Sequence, residues 1–130
     1  MIKQRGFTMV ELLIVVLIIG ILVSIAVPNY YSALERSKCA QAIHNIKTMR
    51  SAMLAYYVEN QTFVGADLAT IGALVNATFI SNSDWTYAPP TVAAGTFTLT
   101  ATRQTGTHIG KTITLNQDEV WGGTYPRDNP

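Results

Sequence analysis

Few side chains in this sequence have the type and spacing that chemistry requires. Cys39 and His44 lie five residues apart in a helical stretch, so they point in different directions and make no metal pair. His108 stands alone in a turn and reads as a surface histidine. Asp118-Glu119 is an adjacent acid pair of the solvated kind, a poor cradle for calcium. Asn60-Gln61-Thr62 and Asn76-Ala77-Thr78 match the N-glycosylation acceptor pattern, which arises easily by chance in a Thr-rich chain. The single cysteine closes no intrachain disulfide; it reads as a small buried hydrophobe, with a reactive or intermolecular thiol as the alternative. No phosphate-cradling Gly-rich loop is present. The reading is therefore of no catalytic residue, no metal and no cofactor.

One ionisable group stands out by its position. Glu11 is the only charge in the 21 residues from Phe7 to Val27, and Leu12 to Val27 has none. At about 1.5 Å per residue that stretch spans roughly 30 Å, the thickness of a bilayer hydrocarbon core. Lys3 and Arg5 precede it, the charge order of an export signal whose start stays in the cytoplasm.

Three readings compete for this segment. It could be a secretory signal cut after Ser24-Ile25-Ala26, releasing a binding domain or enzyme, although the apolar run exceeds the ~7–15 residues of an ordinary signal core. It could be a plain membrane anchor, which leaves Glu11 without a reason. Or the chain is cut after Gly6, so that Phe7 becomes the N-terminus with Glu11 one helical turn inside it. A negative charge there suits the helix dipole. The α-amino group of a neighbouring copy would then neutralise Glu11, and opposite charges in an apolar medium attract far more strongly than in water. On that reading the pair pins the register between subunits.

The string Lys3-Gln4-Arg5-Gly6-Phe7-Thr8-Met9-Val10-Glu11-Leu12-Leu13 resembles the class III signal of type IV prepilins and the related pseudopilins. The resemblance implies a leader over 1–6, cleavage after Gly6 by a prepilin peptidase, N-methylation of Phe7, and Glu11 as the acid needed for assembly. It also implies a homopolymer built by inner-membrane assembly machinery. The localisation that follows is single-pass in the bacterial inner membrane, then an extracellular pilus. A pseudopilin of type II secretion or a minor pilin is the alternative within the same family. Adhesion, twitching, DNA uptake and electron transfer are not distinguished.

These residues need elements to hold them. Apolar residues at Cys39, Ala42/Ile43, Ile46, Met49, Met53 and Tyr56/Tyr57 recur at steps of 3 and 4, one helical stripe. The sequence thus predicts one long helix over 7–58, with 7–27 in the membrane or filament core. Gly20 and Pro28 are candidates for local loosening within it; a tolerated Gly and a simple Pro kink are the alternative. Over 59–130 the pattern becomes that of a small head. Leu68, Ile71 and Leu74 suggest a short helix facing inward. Strand patterns begin at Asp84–Tyr87, halted by Pro89 and Pro90, then alternate over Thr96–Thr102 and Lys111–Leu115, with Val120-Trp121 as a short last strand. The fold class is α+β: a long N-terminal helix, transmembrane in its first half, packed on a small antiparallel β-sheet, the pilin roll of the resemblance. Many pilins close their C-terminal loop with a disulfide; no cysteine follows Cys39 here, so packing must hold Gly122 to Pro130 if anything does. A net charge of +1 gives no reason to expect a nucleic-acid partner.

Overall fold

The computed structural model describes residues 6–75, 79 and 81–128. Helix α1 runs Met9–Asn60 and α2 Leu68–Leu74; the strands are β1 Trp85–Tyr87, β2 Thr91–Val92, β3 Phe97–Arg103, β4 Thr112–Asn116 and β5 Trp121–Gly123. The chain divides into two compact units, Met1–Glu35 and Arg36–Pro130. In the first, α1 exposes every described side chain up to Leu34. The leader expected over 1–6 lies outside the described residues except for Gly6.

In the second unit the remainder of α1 lies on the sheet, as the α+β reading expects. Cys39, Ala42, Ile46, Met49 and Met53 are buried, and Ala52 joins them. Across from them the sheet contributes Trp85, Tyr87, Phe97, Leu99, Ala101, Ile113 and Leu115. Phe63 and Ile71 close the side. The helix ends at Asn60 because Gln61 turns into the left-handed region (φ 58°). Its amide donates to the Tyr57 carbonyl (2.8 Å) while the Asn60 side-chain amide donates to that of Tyr56 (3.0 Å), so two end carbonyls are satisfied.

All strand pairs are antiparallel, in the order β1-β3-β4-β5, with β2 on the same side of β3 as β1. Leu99 faces Leu115 and Ala101 faces Ile113, so the alternation of both strands points at one core. Threonines 98, 100, 102, 112 and 114 fall on the opposite face. Two details differ from the sequence expectation. Leu74 is exposed, because Val75, a full turn beyond Ile71, packs on the core instead. Strand β2 was not expected at all; two residues are too few to show alternation.

The β4–β5 turn is built by Asn116, whose side-chain oxygen accepts from the amides of Asp118 (3.0 Å) and Val120 (2.9 Å). Gly123 has φ 102°, and a Cβ there would run into the Thr112 backbone, so only glycine lets β5 approach β4 this closely. Beyond it Tyr125 is buried. Its ring meets Trp85 edge-on (5.1 Å) and its amide donates to the Thr112 carbonyl (2.9 Å), so packing holds the tail without a disulfide.

The helix and sheet are tied by one polar cluster. The Trp85 indole donates to the Lys38 carbonyl (3.0 Å). Asp84 Oδ1 receives Lys38 Nζ (2.9 Å), Arg103 Nη1 (3.0 Å) and the Thr105 hydroxyl (2.8 Å). Arg103 is 1 % exposed and occupies a position where alternation calls for an apolar residue. Its guanidinium also donates to the Asp84 carbonyl and lies over the Trp85 ring (5.4 Å), which makes burying the charge tolerable. Lys38 first, then Thr105 and Arg103, hold the Asp84 carboxyl down at about 2. A carboxyl depressed on folding stabilises the fold above its unfolded pKa near 3.9 and loses that contribution as pH falls toward 2. After allowance for partial solvent screening the contribution is about 1–2 kcal/mol. Asp84→Asn is expected to lower stability by that amount at pH 7 in urea unfolding of the detergent-solubilised chain. The difference from the parent protein should shrink between pH 4 and pH 2, a window read from these two pKa values.

Candidate functional site

The start of α1 is organised by its first residues. Thr8 is the N-cap: its hydroxyl oxygen accepts from the Glu11 amide (3.2 Å). Glu11, three residues on, reaches back, and its Oε2 accepts from both the Thr8 amide (2.8 Å) and the Thr8 hydroxyl (2.8 Å). This is a capping box, two orphan amides at the helix start satisfied reciprocally. The first helical backbone bond, from the Leu12 amide to the Thr8 carbonyl (3.1 Å), closes the same turn. The pattern Thr-x-x-Glu ahead of an apolar run was present in the sequence, yet the sequence reading singled out Glu11 and passed over Thr8.

The capping box changes how Glu11 must be understood. The sequence reading treats it as a bare acid needing a charge from another copy. Within its own chain the carboxylate already has two donors, both on Oε2. Among the described residues Oε1 receives no hydrogen bond, so that oxygen is open to a further donor. Gly6 and Phe7 lie just outside the helix and are exposed, Phe7 by 77 %. Gly6, Phe7 and Glu11 are thus brought to one helix end.

Gly20 and Pro28 stand apart from that end. Both lie inside α1, which is helical throughout. A Cβ at Gly20 would meet nothing within 4 Å, so no packing inside this chain demands glycine there. Pro28 leaves the Ser24 carbonyl without its backbone amide. The Ser24 hydroxyl turns back to the Ile21 carbonyl (2.7 Å), which keeps it satisfied in an apolar stretch.

The other candidate groups do not converge. Cys39 is buried and borders an open hollow of about 240 Å³ with Arg36, Ala40, Ile43, Arg127 and Asp128, while His44 is exposed. His108 has Thr107 Oγ1 at 3.1 Å from Nδ1 and its ring against Tyr125 (5.1 Å). Asp118 accepts from the Gln117 side chain (2.7 Å), and Glu119 lies 3.8 Å from Arg50. Asn60 is engaged at the helix end; the Asn76 acceptor pattern lies outside the described residues. No group of three potential metal ligands exists among the described residues.

Comparison with known proteins agrees with this geometry. Residues 1–27 match the family model "Prokaryotic N-terminal methylation motif", and residues 28–112 match "Type IV minor pilin ComP, DNA uptake sequence receptor". The fimbrial protein EcpC of Eikenella corrodens is 34 % identical over 113 residues, covering 86 % of this chain and 73 % of EcpC. The type IV major pilin PilA of Myxococcus xanthus is 43 % identical over 61 residues, 47 % of this chain but 28 % of PilA. The type II secretion system core protein G of Escherichia coli K12 is 36 % identical over 61 residues, 47 % of this chain and 42 % of that protein. No solved structure matches the chain.

If the capping box orients Glu11, Thr8→Val should remove both a cap and a carboxylate partner. The expected cost is about 1 kcal/mol of local helix stability, read as faster amide exchange in the first turn in detergent micelles. Unchanged exchange at Glu11 and Leu12 would count against the box. The methylation motif, the pilin domain match and the EcpC relationship together place this chain in the type IV pilin family.

Proposed function

We propose that this chain is a structural subunit of an extracellular type IV filament with no catalytic role of its own. A prepilin peptidase cuts the Gly6–Phe7 bond, Phe7 is N-methylated, and 7–27 holds the subunit in the inner membrane until assembly machinery adds it to a homopolymer. Glu11 is the assembly acid. Its Oε1 accepts the new amino group of a neighbouring copy while Oε2 keeps both Thr8 donors, so a charge pair forms without dismantling the helix cap. Gly20 and Pro28 give the helix local freedom during packing.

The observation that carries this reading is the run of apolar side chains behind Glu11. Nineteen large apolar residues between Phe7 and Leu34 are exposed. Burying each is worth roughly 1.5–3 kcal/mol. Their sum exceeds the ~5–15 kcal/mol by which a domain is stable, so water is not their working environment. Lipid first, and other copies afterwards, is a sequence of environments that fits.

N-terminal sequencing and intact mass of the protein from cells test the proposal. A mature chain starting at methylated Phe7 is expected; one starting at Val27 would overturn it. Glu11→Ala should leave cleavage and membrane insertion intact while abolishing filaments, and abundant normal filaments from that variant would refute the pinning role.

A second reading, a minor pilin or pseudopilin, is favoured by the match to a family model described as a minor pilin and a DNA uptake sequence receptor. The charge pattern offers DNA little. Lys38 and Arg103 are committed to Asp84 and Arg50 faces Glu119, which leaves Arg36, Lys47 and Lys111 for phosphates within 28–112. Sheared filaments separate the readings: this chain is expected as the dominant band, whereas a trace component would favour the minor role. Duplex binding that survives 150 mM salt, roughly physiological strength, would point to DNA reception.

A further inference from the structure

The uncharged stretch of α1 does not stop at Val27; it continues to Leu34, and the next charge is Glu35. Within this extension stand two adjacent tyrosines, Tyr30 and Tyr31. They are 66 % and 65 % exposed, with rings edge to face at 6.1 Å. Neither hydroxyl has a hydrogen-bond partner among the described residues. Just N-terminal to them Val23, Ala26 and Val27 continue an exposed apolar face of α1. The rise from Glu11 to Tyr30 is about 29 Å, close to the ~30 Å of a hydrocarbon core.

We propose that Tyr30 and Tyr31 are the membrane-interface anchor of the unassembled subunit, seated in the glycerol and headgroup layer of the outer leaflet. Tyrosine suits that layer because its ring is apolar and its hydroxyl needs a polar partner, which lipid ester and phosphate oxygens supply. The apolar face beneath them lies against the upper part of the acyl chains. Glu11 and its cap then mark the cytoplasmic boundary, and the tyrosine pair marks the opposite one, which fixes the depth of the helix. This rests on the reading that 7–27 spans the membrane before assembly.

Spin labels on the full chain in phosphatidylethanolamine–phosphatidylglycerol vesicles test it. Single cysteines replace Leu17, Asn29 and Ser32 in a Cys39→Ala background, and collision with oxygen is compared with collision with a water-soluble nickel complex. The label at Leu17 should favour oxygen and that at Ser32 nickel, with the crossing near Asn29. Replacing both tyrosines by phenylalanine keeps their rings and removes the hydroxyls. The helix should then sink, lowering nickel accessibility at Asn29 roughly twofold.

An unchanged profile in the Phe pair overturns the anchor while leaving the membrane span standing. A nickel-accessible label at Leu17 overturns the span itself. Spin–spin broadening at Asn29 with neither reagent admitted would show a second copy covering the tyrosines, which also overturns the anchor. Labelling Asn29 and Ser32 with Cys39 retained and buried repeats the test if the alanine background fails to fold.

Discussion

A helix that buries nothing of its own before Cys39 sets the terms for everything else in this molecule. Its first stretch carries no charge from Leu12 to Leu34, and its side chains are exposed in the described structure. The favourable free energy of hiding those side chains is therefore realised only against lipid or other molecules. The first unit therefore calls for apolar surroundings that this chain does not itself supply. The second unit, by contrast, closes its own core between helix and sheet.

Two carboxylates show how differently the units treat charge. Asp84 sits among donors from α1, β3 and the loop after β3, and its role is internal: it offsets buried Arg103 and joins α1 to the end of the β1–β3 pair where Trp85 faces Arg103. Glu11 is served by one neighbour in sequence and keeps an oxygen open. A carboxylate shared among donors from distant segments locks those segments together, whereas one served by a neighbour in sequence orders only its own helix turn. The same side-chain chemistry thus ties helix to sheet in one place and caps a helix start in the other.

Much of this was legible in the residues because it is local and periodic. The apolar run, the 3–4 spacing from Cys39 to Tyr57 and the alternation in Phe97–Ala101 and Ile113–Leu115 led to the right elements and the right faces. Signals that depend on long-range neighbours were not legible. Nothing near Arg103 in the chain announces Asp84 or Lys38, and an arginine in phase with Phe97, Leu99 and Ala101 looks like a misplaced charge until Trp85 and Asp84 surround it. Strand β2 exists only because β3 offers it an edge. Leu74 faces out and Val75 takes the core contact because the end of a short helix can turn either residue inward. Thr8 is a different case: Thr-x-x-Glu ahead of an apolar run is a local, readable capping signal, and it lies in the hydroxyl as much as in the charge of Glu11.

The anchoring of the tail by Tyr125 has a consequence for how the head matures. A loop closed by an edge-to-face ring contact and a backbone hydrogen bond forms with the sheet itself, with no thiol oxidation to wait for. Closure of this edge accordingly needs no disulfide. Its closure is also reversible, so the edge beside β5 answers to temperature and denaturant rather than to reductant.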